Sequence, residues 1–250
     1  MGKTCAEPPA CPRVFETERG TVVVQGYVLT DGAVPSHVTP PTGESLIEMP
    51  REVLLRFASE LEKRPAANLS ELVANFQRSA FRLETLPQYL VDAEAERFAA
   101  FRDGRPLPER SERTNQWLRR IAAMTQAGQR WYRVHILSQP LTDYLRYELL
   151  AYQENAAVGE EIRIADVGIH PELADLRTDF WLLDGDGDEA VVALMQYDRD
   201  GRYFGFWRAD DVEVIERCRR ERDRALAASV PLSDFLAAVG DIKRPRVSIP

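Results

Sequence analysis

Residues 130–166, RWYRVHILSQPLTDYLRYELLAYQENAAVGEEIRIAD, combine a strand pattern, a helix pattern and a second strand pattern. WYRVHIL and EIRIADV are rich in β-branched and aromatic residues, which favours strands. The segment between them has Pro140 at its start and Gly159 at its end, as is typical of a helix. A strand, a helix and a strand within about 35 residues predict a βαβ unit, with two parallel strands joined by a right-handed crossover.

The segments after this unit predict antiparallel strands. DFWLLD, EAVVALMQYD and RYFGFWRA are separated by the turn sequences DGDG and DRDG, which favour β-hairpins. Helices are expected from Pro87, within TNQWLRRIAAMTQAG, and in the charged amphipathic segment ADDVEVIERCRRERDRALAASV. The predicted fold class is α/β, of the α+β sandwich type, with a strand–helix–strand core, antiparallel hairpins and flanking helices.

The chain divides into four predicted segments. Residues 1–13 are rich in proline and small residues and are expected to form a flexible leader. Residues 14–64 contain GTVVVQGYVLTDG, SLIEMP and a helix pattern beginning at Pro50, and predict a small β-rich module with one helix. Residues 66–235 are expected to form the main α/β domain, and residues 236–250 a basic tail.

Charge and hydropathy restrict the class of protein. The 250 residues include 40 acidic and 32 basic side chains, for a net charge of −8, which argues against direct binding of nucleic acid. No run approaches the ~18 consecutive apolar residues that a membrane span requires. The N-terminal sequence MGKTCAEPPACPR lacks the apolar segment of a signal peptide. We therefore expect a cytoplasmic protein without membrane association.

The sequence predicts no cofactor and no metal. The three cysteines are expected as free thiols, because they form no CxxC pair or Cys/His cluster with metal-ligand spacing. DGDGDE at 184–189 resembles the start of a calcium loop, but Glu189 and Met195 stand where that loop needs Gly and Glu. Residues 184–189 therefore predict a hairpin turn. GxGxxG, Walker, GxSxG and HExxH motifs do not occur in the sequence.

The densest group of polar and aromatic residues lies at the start of the predicted βαβ helix, in PLTDYLRYEL. Helical spacing makes Tyr144 and Glu148 neighbours and places Glu148 beside an apolar stripe. Arg133, in the preceding strand, is the expected partner of Glu148, because an unpaired buried charge is costly. The candidate binding residues are Arg133, Asp143, Tyr144, Arg146, Tyr147 and Glu148. No catalytic residue is predicted.

These candidate residues have two interpretations that the sequence leaves open. They line a polar pocket at the strand–helix junction, or they form a structural ion-pair network that ties the helix to the sheet. We favour the structural role for Arg133 and Glu148. The better functional candidates are then Asp143, Tyr144, Arg146 and Tyr147, which open the same helix and need not all face the core.

Three segments of the chain resemble an actinobacterial family of domains of unknown function: AFRLETLPQY, RVHILSQPLTDYLRYELLAYQENAAVGEEIRI and DFWLLDGDGD. The resemblance covers residues 68–235. Members of that family are often encoded beside helix-turn-helix regulators. The first module, ETERGTVVVQGYVLTD…GESLIEMP, is similar to a small separate protein of the same gene neighbourhoods. The resemblance implies a helix-turn-helix transcriptional regulator as a partner and implies no reaction.

A weaker resemblance connects the strand–helix–strand unit, FWLLD and the final helix with phospholipase-D-like domains. Their HxKxxxxD pattern would need Lys and Asp after His170, where Glu172 and Arg177 stand. Our first hypothesis is a non-enzymatic regulatory or interaction protein that acts with a helix-turn-helix regulator or an anionic small ligand. The alternatives are a phosphate- or nucleotide-directed enzyme, since arginines bind such anions well, and a toxin- or antitoxin-like component.

Overall fold

The computed structural model describes residues 13–16, 22–29, 45–55, 68–240 and 242. The chain divides into two compact units, residues 1–67 and residues 68–250. Most of the predicted leader and of the predicted basic tail lies outside the described residues.

The described part of the first unit contains two short antiparallel strand pairs. β1 (Arg13–Glu16) pairs with β2 (Val22–Gln25), and β3 (Tyr27–Val28) pairs with β4 (Ile47–Glu48). A helix, α1, occupies residues 51–55, where the preceding proline favours a helix start. The strands β2 and β3 lie within GTVVVQGYVLTDG, and β4 lies within SLIEMP.

The described residues of the second unit form one mixed sheet of seven strands. The strands are β5 (Ser79–Glu84), β6 (Arg130–Leu137), β7 (Glu161–Asp166), β8 (Phe180–Leu183), β9 (Val191–Tyr197), β10 (Tyr203–Ala209) and β11 (Val230–Pro231). Their order across the sheet is β10-β9-β8-β5-β6-β7-β11. β5, β6 and β7 are parallel and the other neighbours antiparallel.

Six described helices accompany this sheet. They are α2 (Leu69–Ala74), α3 (Ala95–Arg102), α4 (Gln116–Gln126), α5 (Asp143–Ala157), α6 (Val212–Ala227) and α7 (Leu232–Val239). A mixed sheet with helices packed on it is an α/β fold, so the predicted fold class is confirmed. The described helices are each too short or too polar to cross a lipid bilayer.

The βαβ unit has the predicted form, with α5 joining the parallel strands β6 and β7. Thr142 caps the N-terminus of α5, because its Oγ1 accepts a hydrogen bond of 3.1 Å from the backbone N–H of Leu145. Gly159, with φ of +106°, follows the C-terminus of α5 in a conformation that residues with a Cβ rarely adopt. Local sequence therefore accounts for both ends of this helix.

The predicted hairpins are also present. β8 pairs with β9 and β9 pairs with β10, each in antiparallel fashion. The DGDGDE segment joins β8 to β9 as a turn, as predicted. The Asp184 carboxylate accepts hydrogen bonds from the backbone N–H groups of Gln77, Arg78 and Ser79 at 2.6–3.0 Å. This carboxylate thus holds the start of β5 rather than an open calcium loop.

The two faces of the sheet differ in chemistry. Side chains alternate along a strand, so one face of β5 and β6 carries Phe81, Leu83, Tyr132 and Val134, which form an apolar core with α6. The opposite face of β5 and β6 carries charged and polar side chains between its apolar residues. Helix α5 packs on this second face, where Leu145, Leu149 and Tyr152 meet Ile162 and Ile164 of β7.

The prediction of a helix from Pro87 is wrong. The chain after Pro87 stays extended, forms a 3-10 turn at Asp92–Glu94 and becomes α-helical only in α3. The cause is tertiary: the Leu90 N–H donates to the Gly201 carbonyl at 2.9 Å, and Leu90 forms a parallel bridge with Arg202. The β9–β10 turn therefore provides hydrogen bonds that the local sequence cannot reveal.

The end of the main domain also differs from the prediction. Helix α7 runs to Val239, four residues beyond the predicted boundary at 235. Leu232 and Phe235 of α7 are buried against α5 and β7, and Ile242 joins the same cluster. The segment after 235 therefore begins as a packed helix rather than as a tail.

Candidate functional site

Four buried polar side chains lie side by side on the α5 face of β5 and β6. Arg82 pairs in register with Arg133, and Glu84 pairs with His135. Parallel strands in register place side chains of equal parity on the same face, so the four groups meet without a loop between them. None of the four is more than 7% exposed. Buried charges of this kind require partners.

Arg133 has two carboxylate partners. Its Nη1 donates to Glu84 Oε2 at 2.9 Å, and its Nε donates to Glu160 Oε1 at 2.6 Å. The predicted pairing of Arg133 with Glu148 is therefore wrong. The reason is the sheet register. Glu84 lies on the adjacent strand β5, whereas Glu148 on α5 contacts His135, the next residue of β6 on the same face as Arg133.

Arg82 is held by a second buried carboxylate. Its Nη2 donates to Asp179 Oδ2 and to the Tyr197 hydroxyl, both at 2.9 Å. Asp179 also accepts a hydrogen bond of 2.6 Å from the Tyr89 hydroxyl. The Nη1 atom of Arg82 is buried and has no acceptor among the described residues. One donor of this network is thus unsatisfied.

Both ring nitrogens of His135 contact protein groups. Its Nε2 donates to the Leu86 carbonyl at 3.1 Å, and its Nδ1 lies 2.8 Å from the Tyr152 hydroxyl. Burial lowers the pKa of His135, because the imidazolium would lose its hydration. Tyr152 in turn donates to Glu84 Oε2 at 2.6 Å. Both ring nitrogens are therefore occupied by protein groups.

Glu148 and Glu94 are the two carboxylates of this region without an arginine partner. The Tyr144 hydroxyl lies 3.4 Å from Glu148 Oε1 and 3.4 Å from Glu94 Oε2. A hydroxyl has one proton, so Tyr144 can donate to only one of them. Burial raises the pKa of Glu148 well above its ordinary value, and the charges of Glu84 and Glu94 raise it further. Burial likewise raises the pKa of Glu94.

A cavity of about 520 Å³, called here the tyrosine pocket, is lined by Arg82, Glu84, Glu94, Arg133 and Glu148 among others. Helix α5 supplies one wall, because positions 144, 147, 148, 151, 152 and 155 recur at helical spacing and lie on one face. The pocket is unusually aromatic for a buried polar site. Its aromatic lining consists of Tyr89, Trp117, Tyr144, Tyr147, Tyr152, Trp181, Tyr197 and Tyr203.

The structure distributes the six predicted site residues over three places. Arg133, Tyr144, Tyr147 and Glu148 line the tyrosine pocket. Asp143 lines a neighbouring cavity of about 610 Å³. Tyr144 lies between the two cavities and lines both. Arg146, half-buried on α5, lines neither of them.

Several residues of the pocket were missed by the sequence analysis. They are Arg82, Glu84, Tyr89, Glu94, Asp179, Trp181 and Tyr197. A signal for two of them was present: Arg82 and Glu84 alternate with Phe81 and Leu83 in AFRLE, which places charges on one face of a strand that is otherwise apolar. Glu94 carries no such signal, because it reaches the pocket through the 3-10 turn.

Glu84, His135 and Glu148 are the residue types that could hold a metal ion, and one ligand atom of each lies within 4.8 Å of the others. The protein already uses most of these atoms. Glu84 accepts hydrogen bonds from Arg133 and Tyr152, and His135 Nδ1 lies against the Tyr152 hydroxyl. Two guanidinium groups beside Glu84 also repel a cation. These contacts do not fit a bound metal.

Removal of divalent metal should therefore leave the protein unchanged. We expect EDTA to shift the melting temperature by less than about 1 °C. If a metal stabilised the fold, the melting temperature would depend on the concentration of that metal. The measurement is thermal unfolding of the full chain with and without the chelator. If EDTA lowered the melting temperature by several degrees and Zn²⁺ or Mn²⁺ restored it, Glu84, His135 and Glu148 would be a metal site.

The described fold and pocket define an α/β domain with a tyrosine-lined cavity that contains buried charged groups. Residues 67–237 match the family described as Domain of unknown function (DUF6879), and the chain belongs to that family. No curated protein and no solved structure matches the chain. The predicted resemblance of the main domain to a family of domains of unknown function is confirmed.

Proposed function

We propose that this protein is a non-enzymatic regulatory protein whose main domain binds a small molecule in the tyrosine pocket. The observation that carries the proposal is a cavity of ligand size whose buried walls hold unsatisfied polar atoms. Arg82 Nη1, the Tyr147 hydroxyl and Glu148 Oε2 are buried and have no hydrogen-bond partner among the described residues. Each such atom costs about 1–3 kcal/mol unless something pairs with it.

The contacts favour binding over catalysis. A general base must have a free lone pair near the substrate, but both ring nitrogens of His135 face protein groups. Glu84 and Asp179 are fixed by arginines, so neither carboxylate is available as a nucleophile. A phosphate- or nucleotide-directed enzyme would need open arginines, and Arg133 already has two carboxylate partners.

The regulatory part of the proposal rests on the resemblance to an actinobacterial family encoded beside helix-turn-helix regulators. In this proposal the protein is cytoplasmic, and ligand binding alters its association with such a regulator. A toxin- or antitoxin-like role would also involve a partner. Growth inhibition on expression, relieved by the neighbouring gene product, would support that alternative over a regulatory one.

A variant that obstructs the pocket tests the proposal. Ala93 lines the tyrosine pocket and is exposed, so Ala93→Trp should block the cavity without disturbing the core. The wild-type chain is screened by thermal shift against small aromatic amines, organic acids and nucleotides. A ligand at about 100 times its Kd adds about 2.7 kcal/mol of stability, which corresponds to roughly 5–10 °C in a domain of this size.

We expect at least one compound to raise the melting temperature of the wild type and to have no effect on Ala93→Trp. The control is Ala123→Trp, which adds the same side chain at an exposed site of α4 outside the pocket. Loss of the shift in both variants, or in neither, would contradict binding in this pocket. Turnover of any nucleotide or phosphodiester in the screen would favour the enzyme.

A further inference from the structure

Two carboxyl groups that line the tyrosine pocket have no arginine partner among the described residues. Most carboxylates of the pocket and its border have arginine partners: Asp179 with Arg82, Glu84 and Glu160 with Arg133, Glu154 with Arg97 and Arg110, and Glu109 with Arg113. Glu94 and Glu148 lie within 4 Å of no arginine or lysine of the described chain. His135 is the basic group nearest Glu148, with its Nδ1 at 3.3 Å from Glu148 Oε2, and burial lowers the pKa of His135. Glu94 and Glu148 are thus the two carboxyl groups of this set that have no arginine partner.

The two carboxyl groups have few hydrogen-bond donors as well as no arginine partner. Tyr144 is their shared donor, at 3.4 Å from each, and it has one proton to give. Glu148 is 8% exposed, and its Oε2 has no hydrogen bond in the described structure. Glu94 and Glu148 both face the cavity. A group that brings several N–H donors to this point would satisfy both.

The surrounding rings favour the same kind of group. Tyr89, Tyr144 and Tyr147 form one cluster beside the two carboxyl groups, with 6.1 Å between the ring centroids of Tyr144 and each of the others. Aromatic faces attract cations through their quadrupole, and a desolvated site strengthens this attraction. Carboxylates together with tyrosine rings are a chemistry suited to an ammonium group.

We propose that the tyrosine pocket binds a protonated amine whose N–H groups donate to Glu94 and Glu148 between Tyr89, Tyr144 and Tyr147. This inference rests on the proposed function and specifies the ligand class. It replaces the anionic ligand that the sequence analysis expected, because Arg82 and Arg133 already have the carboxylate partners Asp179, Glu84 and Glu160. Burial raises the pKa of both Glu148 and Glu94, and a bound ammonium group would favour their charged forms.

The contacts of the pocket favour an amine over a bare metal ion and over a neutral aromatic compound. A metal would need the lone pairs of Glu84 and His135, which protein donors occupy. A neutral aromatic compound would contact the rings and leave the oxygen of Glu148 unpaired, at the cost of a buried unsatisfied acceptor. An N–H-bearing cation satisfies both requirements at once.

Three probes with the same phenol ring test the assignment on the full chain by isothermal titration calorimetry. They are tyramine, which carries an ammonium, tyrosol, which carries a hydroxyl, and 4-hydroxyphenylacetate, which carries a carboxylate. We expect tyramine to bind at least about tenfold more tightly than the other two, the difference that a charge-assisted hydrogen bond makes. Ala93→Trp should abolish its binding.

Two carboxyl variants and one matched control locate the ammonium. Glu148→Gln and Glu94→Gln should each weaken tyramine binding by about tenfold or more while leaving tyrosol unchanged. Glu96→Gln removes the same charge from an exposed neighbour of Glu94 on the same segment and should bind tyramine as the wild type does. Cooperative urea unfolding of every variant confirms that the comparison is made between folded proteins.

The outcomes distinguish a failure of the amine assignment from a failure of the proposed small-molecule site. Binding of 4-hydroxyphenylacetate but not tyramine, abolished by Ala93→Trp, would overturn the amine and leave the small-molecule pocket standing. Equal tyramine binding by the wild type, Glu94→Gln and Glu148→Gln would also overturn the amine assignment. Binding of none of the three probes would overturn it too, and the proposed function would then depend on the wider compound screen.

Discussion

Arg133→Ala should lower the free energy of unfolding by about 3–5 kcal/mol, the usual cost of stranding a buried charge. Arg133 is 7% exposed and neutralises two buried carboxylates, Glu84 and Glu160, at 2.9 and 2.6 Å. Its removal leaves both without that partner, although Glu84 keeps its contact with Arg82 at 3.4 Å. Equilibrium unfolding in urea near neutral pH measures the loss.

The same strand offers the control. Arg130 forms a double hydrogen bond with Glu161 at 2.9 and 2.7 Å, but both side chains are about half exposed. Arg130→Ala should therefore cost less than about 1 kcal/mol, because water screens the pair and hydrates the remaining carboxylate. Similar losses for the two variants would show that burial of Arg133 contributes little. The double variant Arg133→Ala/Glu160→Gln should lose less than the sum of the two single changes.

Glu148→Gln should raise the free energy of unfolding at neutral pH, and the gain should grow with pH. The pKa of Glu148 in the folded protein is raised above its ordinary value of 4.5, mainly by burial. A raised carboxyl pKa means that the folded state holds the proton more tightly than the unfolded chain does. Its contribution is therefore complete below pH 4.5 and is lost as the pH rises toward the raised pKa.

The expected size follows from the linkage between proton binding and stability. Between the ordinary and the raised pKa, the wild type should lose about 1.4 kcal/mol per pH unit relative to Glu148→Gln, because glutamine has no proton to lose. Urea unfolding at pH 5, 6, 7 and 8 gives this difference. The titratable and charged groups that face Glu148 are Glu84, Glu94, Arg133, His135, Tyr144 and Tyr152.

Glu96→Gln provides the comparison for this second experiment, because Glu96 is exposed on α3. Its unfolding free energy should follow that of the wild type at every pH. A Glu148→Gln protein that is less stable than the wild type at pH 7, with the same pH dependence, would indicate that Glu148 is ionised and paired in the folded state.

The secondary structure around α5 could be predicted because its determinants are local. Thr142 and Gly159 bound the helix through capping and backbone geometry, which depend on neighbours in the chain. The alternation in WYRVHIL likewise places Arg133 and His135 on one face of β6, and the structure has them there. Helical spacing also brought Tyr144 beside Glu148.

The choice of charge partners could not be predicted in the same way. Sequence reasoning paired Arg133 with Glu148, since both were expected near one strand–helix connection. The pairing depends on which strand lies beside β6, and a parallel neighbour can come from anywhere in the chain. Here the neighbour is β5, 49 residues earlier at the Glu84–Arg133 contact. A difference in strand order would have given Arg133 another partner.

Local sequence thus accounts for the strands, for α5 and for the face that each side chain occupies, because these follow from backbone preferences and from periods of 2 and 3.6 residues. The pocket itself arises from contacts between distant segments. Glu94 reaches it only because Leu90 is held by the β9–β10 turn, and Asp179 reaches Arg82 from 97 residues away. Which carboxyl groups lack an arginine partner depends on all these segments, and so it is decided only once the chain has folded around the cavity.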